Sequence, residues 1–107
     1  MQPKKPTRSQ ALLAIAMDYP DQFVAAVKYL DERGNVTDRI ISPVRYLTAN
    51  RVCVYCLGRE APRTFRIAGI LKVTLKHTCD VLAPEAIKIL VDQRNAIARK
   101  SPETSGK

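Results

Sequence analysis

Three β-favouring runs between Val27 and Ile70, joined by turn signals, constrain this chain most. They read VKYLDERGNVTDRIISP, VCVYC and PRTFRIAGI. Alternation of side chains along a strand places Val27 and Tyr29 on one face and Lys28 and Leu30 on the other. Gly34-Asn35 is a hairpin signal. The sequence predicts strands over Phe23 to Leu30, Val36 to Ser42, Val52 to Leu57, Arg63 to Ile67 and Ile70 to Cys79. Pro43 stops the second strand, with Val44 to Leu47 as its kinked continuation. Ala68-Gly69 marks a bulge or bend between the last two strands.

Helical signals flank this β region. Ser9 is placed to cap a helix over Gln10 to Met17, which Tyr19-Pro20 ends because the residue before a proline is pushed out of the helical region. Pro84 suits the first position of a second helix, over residues 84–99. Ile87, Leu90, Val91, Arg94, Ile97 and Ala98 recur at helical spacing on it. The expected domain covers residues 9–100, after a basic arm over 1–8 and before a polar tail over 101–107. Five short strands between two helices predict a mainly β fold: a small, strongly bent antiparallel sheet whose closure into a barrel would remove its edges.

Charge sets the second constraint. The 107 residues carry a formal net charge of +8, which favours an anionic partner such as nucleic acid, a nucleotide or an anionic surface. Arg39, Arg45, Arg51, Arg59, Arg63, Arg66, Lys72 and Lys76 fall in one window whose only acid is Glu60. No run of 18 apolar residues marks a transmembrane span. Lys4, Lys5 and Arg8 before Ala11 to Met17 imitate a signal peptide, but the apolar run is short and suits a first helix. Three cysteines, an odd number, fit a reducing cytoplasm better than a disulfide framework.

Chemistry-bearing groups are few. Cys53-x-x-Cys56 with His77-x-Cys79 has the ligand types of a tetrahedral zinc site, but strand alternation would send Cys53 and Cys56 to opposite faces. The lone histidine has no matched nucleophile, and Asp18/Asp21 and Asp31/Glu32 read as turn residues rather than an acid–base pair. The sequence therefore predicts no enzyme, no metal and no cofactor. It predicts a binding module in which Arg39, Arg45, Arg63 and Arg66 contact phosphates and Tyr29 and Tyr55 stack on bases, single strands being favoured. The alternative is a protein-interaction module that assembles, as a homo-oligomer for example, through Ile87, Leu90, Val91 and Ile97.

The order of these features resembles the WYL domain family. The shared pattern is a short helix (Leu12-Leu13-Ala14-Ile15), a strand bearing Tyr29, a hairpin at Gly34, and an arginine strand with Arg39 and Pro43. Tyr55-Cys56 and Arg63-Thr64-Phe65-Arg66 complete it. The namesake Trp-Tyr-Leu, expected near Asn50-Arg51-Val52, is absent, and Ala68-Gly69 replace the family's Asp-Arg pair. The resemblance implies an Sm-like or SH3-like five-stranded barrel. It also implies a bacterial, cytoplasmic ligand-sensing role in transcription regulation, here in a divergent, solitary member.

Overall fold

The computed structural model describes residues 7–100. The first helix, α1, spans Arg8–Asp18 and is capped by Thr7 rather than Ser9. The Thr7 hydroxyl accepts from the Gln10 amide at 3.1 Å and the Gln10 side chain accepts from the Thr7 amide at 2.9 Å. This reciprocal box satisfies two otherwise orphaned donors. It places the last two residues of the expected arm, Thr7 and Arg8, in the helix start. The rest of that arm and the tail over 101–107 lie outside the described residues.

Five strands follow: β1 (Phe23–Leu30), β2 (Val36–Thr48), β3 (Arg51–Cys56), β4 (Ala61–Arg66) and β5 (Ile70–His77). They form one antiparallel sheet in the order β4-β3-β2-β1-β5. Pro43 does not end β2. The strand runs through it, and the β2–β3 ladder shifts register between Pro43 and Arg45 and again between Tyr46 and Thr48. Proline has no amide hydrogen for the ladder, so pairing is re-phased there by a bulge, and bulges bend and twist the strand that carries them. A 3₁₀ turn over Ile67–Gly69 joins β4 to β5. The fifth strand stops at His77. Buried Thr78 donates its hydroxyl to the Pro20 carbonyl at 3.3 Å and opens a short helix, α2 (Thr78–Val81), that the alternation pattern did not signal.

The curl brings the ends of the sheet together through side chains. Tyr29 of β1 stacks on Phe65 of β4, centroids 4.2 Å apart, although β2 and β3 lie between them in the ladder. Among the described residues β4 and β5 do not pair as strands, so the sheet is strongly curled and not closed into a barrel.

Apolar residues fill both faces. The concave face buries Ala25, Val27, Ile41, Val52, Val54 and Phe65, with Leu13 of α1 packed onto them. The convex face buries Val24 and Tyr55 under Leu90 of the last helix, α3 (Pro84–Arg99), which starts on Pro84 as expected. Leu90 is 3% exposed and Ile97 packs beside it against the sheet, whereas Ile87 and Val91 are half-buried. A Leu90→Glu substitution would thus report on folding rather than on assembly. Arg94, on the same stripe, is buried between α1, β2 and α3. Among the described residues no helix is long and apolar enough to cross a membrane.

Candidate anion-binding site

Strand register decides which arginines meet. In β4, Arg63 and Phe65 stand opposite Val54 and Val52 on the concave face, whereas Thr64 and Arg66 stand opposite Cys53 and Arg51 on the other. The sheet curl then carries the end of β4 against the end of β1. The Arg66 amide donates to the Tyr29 hydroxyl at 3.1 Å, and the Arg66 guanidinium donates through Nη2 to the Leu30 carbonyl at 3.0 Å. Gly69 lets the 3₁₀ turn approach this point: a Cβ there would lie 2.7 Å from the Leu30 carbonyl oxygen and 2.8 Å from the Tyr29 ring.

A depression of about 370 Å³ opens at this junction. Its walls carry Arg33, Arg51, Arg63 and Arg66, and the Tyr29–Phe65 pair lies among them. Two acids share the rim. Asp31 is occupied by its own turn: it accepts the amides of Asn35 at 2.9 Å and Arg33 at 2.8 Å, and these bonds, Asn35 first, hold its carboxyl below the usual carboxylate range. Glu32 reaches only to 3.9 Å from Arg66 Nε. That Nε is buried without a hydrogen-bond partner, and half-buried Arg63 makes no polar contact among the described residues. Arg51 and Arg66 are direct cross-strand partners. Like charges facing each other in a ladder are unfavourable. A polyanion would relieve that repulsion through contacts to the accessible guanidinium nitrogens.

Of the six residues expected to form a site, Tyr29, Arg63 and Arg66 converge here, and three do not. Arg39 lies on β2, its Nε donating to Thr37 Oγ1 at 3.2 Å. It lines a larger depression of about 680 Å³ between β2, the β3–β4 turn and α2. That hollow is walled mainly by Ile40, Leu57, Val81 and Leu82, with Arg39 and Arg59 as its cations. Size does not make it the better site for an anion, because charge converges at the smaller one. Arg45 pairs with Cys53, across the bulge and on the opposite face from Arg63. Tyr55 is 8% exposed beneath α3, and its burial pushes the phenol pKa up. Its ring is core and is not available to stack on a base. Tyr29 is also committed, its ring to Phe65 and its hydroxyl to Arg66.

Two contributors were missed. Arg51 was visible in the basic window, and pairing across the short Leu57 to Glu60 turn would have placed it opposite Arg66. Arg33 sits in the hairpin loop, and only the curl of the sheet brings that loop to β4. The cysteines do not gather: Cys53 and Cys56 are buried on opposite faces of β3 and Cys79 is exposed on α2. His77 packs its ring against Phe23. Among the described residues no group of three or more His, Cys, Asp or Glu is placed to hold a metal. No protein-family model matches the chain, and no curated protein matches it.

Proposed function

We infer that this chain is a non-enzymatic regulatory module that binds the phosphates of nucleic acid or of a nucleotide at the Arg33–Arg51–Arg63–Arg66 depression. The reading extends to the fold: a divergent, WYL-like member of the Sm-like or SH3-like class, with the 3₁₀ turn bridging what would be the barrel seam. The observation that carries the function is the arginine convergence itself. Four arginines line one hollow at the edge of β4, with Arg51 and Arg66 directly opposed across a ladder and Arg63 on the other face of the strand. Of the two tyrosines expected to stack on bases, Tyr55 is buried, and half-buried Tyr29 already has its ring stacked on Phe65 and its hydroxyl bonded to the Arg66 amide. Recognition therefore rests on phosphate charge, and single strands hold no advantage from stacking.

Fluorescence anisotropy with labelled single-stranded DNA, RNA and duplex DNA across a salt series tests this. The expected result is binding to all three that falls steeply with salt, as counterions are released. Arg63→Ala and Arg66→Ala should each weaken it. Absence of binding at low salt, or binding indifferent to both substitutions, would overturn the reading.

A further inference from the structure

A second set of cations lies on the convex face of β1 and β5. Lys28 faces Lys72, Ala26 faces Thr74 and Val24 faces Lys76 across the ladder. Small Ala26 leaves a shallow furrow of about 280 Å³ between these side chains. The one acid in its lining, Asp38, is held by Lys28 at 2.9 Å. Lys72 and Lys76 are exposed and make no hydrogen bond or ion pair among the described residues. As at the arginine site, two like charges stand directly opposed, here Lys28 and Lys72.

The furrow is joined to the arginine site by strand geometry. Arg66 bonds the Leu30 carbonyl at the end of β1. Leu30, Lys28, Ala26 and Val24 follow one another at two-residue steps on the same face of that strand. From Leu30 to Val24, the partner of Lys76, is six residues, roughly 20 Å at the rise of a β-strand. In a duplex each strand advances about 3.4 Å of axis per phosphate, and a strand drawn out along a furrow advances more, so this length takes at most about six phosphates. The phosphates of a mononucleotide would occupy the arginine depression alone.

We propose that the ligand is a nucleic-acid strand that starts in the arginine depression and runs over Leu30 along the Lys72–Lys76 furrow, so that the module selects strands over mononucleotides. This rests on the arginine depression being an anion site, as inferred above.

The test compares wild type, Lys72→Ala/Lys76→Ala and Arg63→Ala against two probes: labelled oligonucleotides of increasing length, and ATP as the mononucleotide. For wild type, affinity should climb with length and be flat beyond about six nucleotides at most. The double lysine variant should lose that climb, and its slope of log affinity against log salt should be shallower by about 1.4–1.8, two phosphate contacts' worth. Its ATP affinity should match wild type, while Arg63→Ala weakens both probes. Both lysines are exposed, so an unchanged melting temperature is expected of the double variant. Strand affinity and salt slope unchanged in the double variant, with Arg63→Ala still harmful, would overturn the track and leave the arginine site standing. Failure of wild type to bind either probe at low salt would overturn both.

Discussion

The Arg94 guanidinium donates to the Met17 carbonyl at 3.1 Å, tying the last helix to the C-terminal turn of the first. The same Nη2 lies 3.4 and 3.3 Å from the Pro43 and Val44 carbonyls, at the bulge where β2 bends. These acceptors need a donor for physical reasons. The last carbonyls of a helix have no partner within it and carry the negative end of its dipole, and the bulge frees carbonyls from the ladder. Burial pushes the Arg94 pKa down, but a guanidinium remains charged.

Replacing Arg94 by Met should therefore keep much of the packing and lose the clamp. Leaving buried carbonyls unpaired is expected to cost about 2–4 kcal/mol of folding stability, measured by urea denaturation. Arg94→Lys should recover only part of this: one ammonium nitrogen can face the three carbonyls that Nη2 holds, but the side chain is shorter and lacks the Nη1 bond to Asn95.

Gly69 tests the junction that shapes the arginine depression. A methyl group there would press on both the Leu30 backbone and the Tyr29 ring, so one of them must shift. Gly69→Ala should destabilise the fold by about 1–3 kcal/mol. It should also weaken anion binding more than that loss of stability accounts for. Thermal melts and anisotropy on the same samples separate the two effects.

Glu32 competes with any anion for Arg66. Its carboxylate is exposed and 3.9 Å from Nε, the range of a weak surface pair. Glu32→Gln should tighten oligonucleotide binding by about 1.5- to 5-fold at low salt, with a smaller gain as salt rises. A loss of affinity would mean that Glu32 orients Arg66 rather than opposing the ligand.

Asp31 gives the hairpin loop a defined acid response. Its carboxyl is held below the ordinary value of 3.8 in the folded chain, by the Asn35 amide first, so the unfolded chain takes up this proton more readily. The stability it contributes is complete above that ordinary value and fades as pH falls through the lower folded one. Asp31→Asn keeps an acceptor oxygen and removes the titration. Between about pH 5 and about pH 3 the variant should lose less stability than wild type, read from denaturation midpoints at the two pH values.

Much of the fold was legible because it depends on local pattern. β-favouring runs between turn signals marked all five strands, Gly34 takes the positive φ that its hairpin requires, and Pro84 starts the helix it was expected to start. The errors are also physical. Ser9 is the better capping residue by type, but the glutamine three residues after Thr7, Gln10, completes a capping box there. Pro43 reads as a strand stop, yet a bulge absorbs the missing amide and lets β2 continue.

The sequence by itself determined a β-rich, arginine-laden chain with its turns in the right places, since side-chain period, turn chemistry and charge are properties of neighbouring residues. Tertiary structure decided which arginines meet and which aromatic rings remain free. Arg33, Arg51, Arg63 and Arg66 come from a loop and two strands, and Tyr55 lost its exposure to a helix that begins 29 residues later. Register placed Arg51 against Arg66, and the curl of the sheet brought β4 to β1. Both depend on contacts between residues far apart in the chain, which no local pattern encodes.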